Sequence, residues 1–396
     1  MRRALIAALP LTLAAGLTAC GDDDSEHPSA TPTPAGQAAP AHGFPALQVR
    51  TVVGGLDHPW DVKPLGGGRL LVTERDRARL SLVTHGTRHT VDFPSSTVWV
   101  SGETGLLGLA VDPGFAANHR IYTCQGGTRA GGGHDVHVTA WRLQVADRTV
   151  DRIKTLVGGF PTNSGRHGGC RLLITDRGAM LVGTGDAAIG TNARDLTSYG
   201  GKTLRLDRFS GKPWPGNRWA NAASPVKRYV HTWGHRNVQG LAQRADGTLW
   251  SVEHGSDRDD EVNLLQNGAD YGWNPVPGYD ESVPMTDTSL PGHQVRARWR
   301  SGFPTLATSG ADWLPTTRAS GWGSYRGTLA VAALKASRVL FMRFDDTGHL
   351  RWVKAPKALT GAGRLRTVTT LPNGDLLLTT DNGDGRDKLL RVRPQD

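Results

Sequence analysis

One unit recurs six times along this chain: a short apolar strand, a turn, a second alternating strand and a polar loop. The copies occupy residues 60–74, 106–125, 171–186, 240–254, 310–335 in a longer form, and 366–381. Turns at Pro113-Gly114, Arg177-Gly178, Asp246-Gly247 and Asn373-Gly374 divide the strand pairs. Helical periodicity is hard to find, whereas short β-rich runs broken by Gly, Asp, Asn and Pro recur throughout. A unit of this size is a small sheet that cannot bury both faces alone, so the copies must pack on one another. Six of them, spaced by roughly 45 to 70 residues, predict an all-β chain: a six-bladed β-propeller of four-stranded antiparallel blades.

The polar loops that follow the second strand differ in chemistry. They read Thr73-Glu74-Arg75, Gly183-Thr184-Gly185-Asp186, Glu253-His254-Gly255-Ser256, Leu334-Lys335-Ala336 and Thr380-Asp381-Asn382-Gly383. Repetition places them at equivalent points, which in a propeller converge on the central axis. Turns of a purely structural repeat are interchangeable, so loops this unlike favour a shared site over plain solvated turns.

Residues 1–20 carry Arg2 and Arg3, an apolar run over residues 4–17 and the ending Leu17-Thr18-Ala19-Cys20. This is the pattern of an export signal, too short for a comfortable bilayer span. Its ending resembles the bacterial lipobox, in which the cysteine is lipidated; an ordinary signal peptide cut elsewhere is the other reading. Residues 21–43 are dense in Pro, Ala, Thr and Ser and have almost no large apolar side chain, so burial cannot offset their ordering entropy. The expected organisation is a signal peptide (1–20), a disordered linker (21–43) and one propeller domain (44–396), held at the outer face of the cell membrane only through a lipid on Cys20. The net charge of +10 suits anionic ligands. It does not indicate nucleic acid, because Lys and Arg are scattered and no nucleic-acid motif accompanies them. Cys124 and Cys170 either pair, as an exported protein allows, or are two buried thiols.

The densest chemistry lies in residues 231–271. Gly234-His235-Arg236-Asn237 precedes a strand pair, then come Glu253-His254-Gly255-Ser256 and the acidic run of residues 257–261. Fixed cations, oxygen ligands and glycines that let backbone come close point to a bound anion beside a metal ion; the acidic run read by itself is a solvated turn.

Further motifs fall into line around it: Gly105-Leu106-Leu107-Gly108, Asp112-Pro113-Gly114-Phe115, His167-Gly168-Gly169, Gly185-Asp186, Asp260-Glu261-Val262-Asn263, Tyr271-Gly272-Trp273, Lys335 and Arg364-Leu365-Arg366. In this order, over residues 56–392, the chain resembles the soluble quinoprotein glucose and aldose sugar dehydrogenases, six-bladed propellers that use pyrroloquinoline quinone (PQQ) and calcium. The resemblance implies oxidation of an aldose at the anomeric carbon to the lactone, with electrons passed to an external quinone or cytochrome. It makes His167 the general base, Asp186 its orienting partner, and Arg236 a stabiliser of charge on the quinone. PQQ is a flat ortho-quinone with three carboxylates, so its holder needs cations and a Lewis acid. The implied cofactor set is Glu103, Arg236, Asn237, Thr305, Lys335, Arg364 and Arg366, with Arg364 and Arg366 pointing the same way on a strand. A catalytic calcium would sit on the main-chain oxygens of Gly255 and Ser256, with glycine keeping that backbone accessible. A structural calcium would take Glu261, the Tyr271 carbonyl and Glu281.

Three positions depart from the pattern. Glu103 stands where glucose-oxidising members carry glutamine, Arg166 where an acid assists sugar binding, and Arg300 where an aromatic side chain is expected. They bear on which sugar is used. They also motivate a second reading, a non-catalytic carbohydrate-binding or partner-binding propeller, or a calcium-dependent lactonase.

Overall fold

The computed structural model describes residues 43–317 and 321–395. The expected signal peptide, Cys20 and all of the expected linker but Gly43 lie outside the described residues.

Six four-stranded antiparallel sheets are arranged as the blades of a propeller. The innermost strands are Pro59–Gly66, Leu106–Val111, Arg171–Ile174, Val238–Gln243, Thr308–Trp313 and Leu365–Thr370. Each packs on the innermost strands of the blades before and after it, and the last on the first, which closes a ring. Every copy of the sequence repeat proves to be the inner two strands of a blade. The second strands are less alternating than their sequences suggest: Ala179–Gly183, Leu329–Ala333 and Leu376–Thr380 are buried at every position. A middle strand covered by a neighbouring blade on both faces has no solvent side, so apolar residues can follow one another without a break.

The outer strands carry no comparable signal, and one of them closes the ring. Leu47–Leu56 pairs antiparallel with the C-terminal strand Asp387–Pro394, from Leu47 opposite Pro394 to Leu56 opposite Asp387. The sixth blade therefore holds both ends of the propeller sequence, and its stability depends on joining them.

Apolar side chains fill the spaces between blades. Trp250, Val252 and Val262 of the fourth blade meet Trp313, Val331, Met342 and Phe344 of the fifth in one such layer. The axis is polar. Arg171 is buried there: it pairs with Asp61 of the first blade (2.9 Å), donates to the Gln239 carbonyl of the fourth (2.7 Å) and to the Thr367 hydroxyl of the sixth (3.2 Å), and lies over the Trp60 ring.

Strands alternate in direction, so the connections from second to third strand and from each blade to the next emerge on one face. All the polar loops of the repeat are on it. One further segment reaches it by a longer route. Residues 265–298 join the last two strands of the fourth blade and run beside Val230–Trp233 of the third, with the Tyr271 N–H on the Trp233 carbonyl (2.9 Å) and the Trp273 N–H on the Gly234 carbonyl (3.0 Å). Cys124 and Cys170 form a disulfide, tying the second strand of blade two to the entry of blade three.

Candidate active site

The loop between blades two and three carries His167 in a left-handed conformation, φ 54°, which side chains other than glycine seldom adopt. The backbone around it explains why. A Cβ on Gly168 would lie 2.6 Å from Thr104 Oγ1, and one on Gly169 would lie 2.3 Å from the Gly185 nitrogen. A Cβ on Gly185 would sit 1.8 Å from the His167 carbonyl oxygen. The glycines therefore let two loops lie against each other, Gly169 and Gly185 through backbone contacts and Gly168 against the Thr104 side chain.

That contact delivers Asp186 to His167. Asp186 Oδ1 accepts from His167 Nδ1 (2.7 Å) and from the Ala188 N–H (2.8 Å), while Oδ2 accepts from Trp273 Nε1 (2.8 Å) and the Tyr279 hydroxyl (2.7 Å). Four donors saturate the carboxylate and fix its plane. With Nδ1 committed to Asp186, the imidazole lone pair is on Nε2. His167 is only 3 % exposed, so this lone pair is offered to a nearly dry site.

Glu103, from the loop ahead of blade two, accepts the His167 backbone N–H (3.0 Å) and Asn237 Nδ2 (3.3 Å). Burial pushes the Glu103 carboxyl up, but its positive surroundings, Arg366 and the His167 backbone N–H included, outweigh it and hold the group below the ordinary glutamate value. His254, fully enclosed, is pushed down to about 3 by burial, and its Nε2 has no partner among the described residues. It is a neutral neighbour.

Arg236 comes from the turn before blade four. Its backbone N–H is fixed by Glu253 Oε2 (2.9 Å), its Nη1 reaches the His254 carbonyl (3.4 Å), and its Nη2 pairs with Glu281. Its Nε is buried without a partner among the described residues, a donor aimed at something the protein itself does not supply. Arg366 is equally buried but committed: it forks onto Asp381 and donates to Gln239 Oε1 (3.1 Å). Arg364 lies one residue before that strand and is exposed, so the two arginines do not share an environment. A bulge between Leu365 and Thr367 interrupts the period-two alternation that would have aligned them. Lys335 is exposed on the rim, and Thr305 is buried, its N–H on the Asp257 carbonyl (3.0 Å).

The oxygen-rich loop of blade four is tight. A Cβ on Gly255 would lie 1.9 Å from the Arg258 carbonyl, and the Gly255 N–H is held by Asp260 Oδ1 (3.0 Å). Glycine is required there by the turn itself. No hydrogen bond among the described residues ends on the Gly255 or Ser256 carbonyl oxygen, which leaves both for a cation. Beneath it Glu261 is buried beside Glu253. Asn263 Nδ2 donates to both, 2.8 Å to Glu253 and 3.3 Å to Glu261, and Asn263 Oδ1 is buried without a partner among the described residues. Burial, then the Glu253 charge, drives Glu261 up to about 8. Two carboxylates, an orphaned amide oxygen and the buried Tyr271 form a donor set that a hard cation would neutralise. Glu281 is not brought to this set: its oxygens are taken by Arg166 (2.6 Å) and Arg236, beside His167.

His167, Asp186, Arg236, Asn237 and Glu103 thus share one funnel, built from the loops of blades one to four. The family model for glucose/sorbosone dehydrogenases matches residues 56–391. The chain is a member of that family. It is 28 % identical to the aldose sugar dehydrogenase YliI of Escherichia coli (strain K12), over 91 % of this chain and 95 % of that protein. It is 27 % identical to quinoprotein glucose dehydrogenase B of Acinetobacter calcoaceticus, over 64 % of this chain and 57 % of that one. The PQQ-bound aldose sugar dehydrogenase of Streptomyces coelicolor superposes with a TM-score of 0.74 at 28 % identity, covering 90 % of this chain and all of that one.

The sequence motifs locate His167 and Asp186, the expected base and its partner. They do not announce Tyr279, which touches both members of the pair, nor Asp381, which holds Arg366. Tyr279 sits in the long blade-four connection, where Pro, Gly and Asp signal only a loop. Asp381 was visible as a polar loop residue without its partner.

Proposed function

We propose that this chain is a PQQ- and calcium-dependent aldose dehydrogenase that oxidises a sugar at the anomeric carbon to the lactone. The observation that carries the reading is the His167–Asp186 pair, with Nε2 left as the base, together with the unsatisfied Arg236 on the adjoining loop, whose carbonyl takes the Asp186 N–H (2.8 Å), in a member of this family.

The donor set fits the cofactor. Arg236 has a spare buried donor, Asn237 lines the funnel beside Glu103, and Lys335 and Arg364 offer charges for carboxylates. Arg366 arrives with its charge shared by Asp381, and Thr305 lies in the loop next to Asp257. The free carbonyls of Gly255 and Ser256 suit one calcium ion, and Glu261, Asn263 and the Tyr271 carbonyl suit a second. When bound, PQQ supplies the acceptor for the hydride from the anomeric carbon, and calcium polarises it. The protein's own part is to take the hydroxyl proton on His167 Nε2, to hold the resulting imidazolium against Asp186, and to keep water from the nearly closed base. Arg236 supplies positive charge where the reaction builds negative charge.

Apoprotein reconstituted with PQQ and calcium is expected to reduce a dye acceptor with one or more of a panel of aldoses. Failure to bind PQQ under any calcium concentration sinks the proposal. His167→Gln is expected to keep PQQ binding and to lose turnover by about two to four orders of magnitude. The same reading places the protein outside the cell membrane on a lipid at Cys20; mass spectrometry of the mature N-terminus tests it, and an unlipidated N-terminus away from Cys20 refutes it.

A further inference from the structure

The chain beyond Tyr271-Gly272-Trp273 turns over the funnel instead of leaving it. Residues 275–280 form a closed arch, with the Asp280 N–H on the Pro275 carbonyl (2.9 Å). Side chains at its crest hold it down. The Tyr279 hydroxyl donates to Asp186 Oδ2 (2.7 Å) and lies 3.0 Å from His167 Nδ1, Glu281 spans Arg166 and Arg236, and the Arg166 guanidinium lies over the Tyr279 ring at 5.6 Å.

We infer that Tyr279 is a positioning residue for the base: it fixes the His167 tautomer and tunes how tightly Asp186 holds the imidazole's proton. A phenol has one proton to give. Here it goes to Asp186, which leaves the phenol's lone pairs facing His167 Nδ1. Nδ1 must therefore carry hydrogen, because a bare Nδ1 would oppose lone pairs on both Asp186 Oδ1 and Tyr279. Burial and then the Asp186 charge push Tyr279 far above the ordinary tyrosine value, so it remains a donor at any working pH. The donated hydrogen bond also draws charge from the carboxylate. Of the two contacts the one to Asp186 is the shorter, so its loss dominates: an Asp186 without it is the stronger partner for an imidazolium. The other charged and titratable groups that face the pair are Glu103, Arg166, Arg236, His254 and Glu281, with Lys202 near Asp186. All persist when only the hydroxyl is removed.

The test uses the full chain labelled with 15N-histidine, with the His167 signal assigned by its absence in His167→Gln. Tyr279→Phe is expected to raise the His167 titration midpoint by about one pH unit while the melting temperature holds. In reconstituted enzyme it is expected to lower kcat about tenfold with KM little changed. An unchanged midpoint in a folded Tyr279→Phe chain overturns the inference. Should that variant unfold, the unsubstituted chain decides. A slowly exchanging tyrosine hydroxyl proton with a nuclear Overhauser contact to the His167 ring supports the assignment, and its absence overturns it. Only the kinetic arm rests on the proposed dehydrogenase activity. A raised midpoint in a chain that reduces no dye would remove that activity and leave the Tyr279 role standing.

Discussion

At Gly185 a single missing Cβ decides whether His167, the proposed base, meets Asp186. Replacing it by alanine drives a carbon into the His167 carbonyl oxygen, and relief must come from moving the two loops apart. Gly185→Ala is expected to cut turnover about a hundredfold, since displacement of a catalytic group by an ångström has effects of that size, with a smaller effect on cofactor affinity. Steady-state kinetics alongside a PQQ titration check it. His58 offers a second case. The hydrogen bond from its Nδ1 to Asp381 (2.5 Å) holds it above the ordinary histidine value. A histidine raised in this way contributes stability that is fully present below about pH 6.5 and is lost as pH rises through the raised value. Melting temperature is therefore expected to fall between pH 6 and pH 9 through this pair, and His58→Asn to remove that part of the slope.

Among the structural elements, the loop carrying His167 is held at both ends by features outside the site. Ahead of it Glu103 and Thr104 receive its backbone, with Thr104 Oγ1 on the Gly165 carbonyl (2.9 Å). After it, Cys170 follows the Gly168-Gly169 pair and is bonded to Cys124. The bridge spans 46 residues of sequence, for which loop-closure entropy gives a stabilisation of about 4 kcal/mol. The double variant Cys124→Ala, Cys170→Ala is expected to melt lower and to lose kcat more than PQQ affinity. Equal losses in both would show that the bridge serves the blades and not the base.

For the molecule as a whole, the axis and the seam set the limits. Arg171 bonds to three blades besides its own, so Arg171→Met removes one of the two cations on buried Asp61, leaving Lys63 (3.1 Å), and is expected to cost about 3 kcal/mol in denaturant unfolding. How much of this was legible in advance follows from the range of each interaction. The repeat, its turns and its apolar runs are local, and they were enough for the number of blades and for the inner strand pairs. His167, Asp186 and Arg236 were legible through ordered local motifs that resemble the sugar dehydrogenases, each with a glycine beside it that the packing requires. The seam at Leu47–Leu56 was not, since a strand that closes a ring resembles any other strand until its partner is known. Nor were the neighbours of Glu281, or the hydroxyl of Tyr279, which lies 112 residues along the chain from the imidazole it faces. By itself the sequence determined the blade count and the inner strands, and its motifs singled out His167 and Asp186, which the fold brings into hydrogen-bond contact. Only the tertiary structure decided which distant side chains complete the site, because those contacts depend on how the blades close and how a long connection is laid over them.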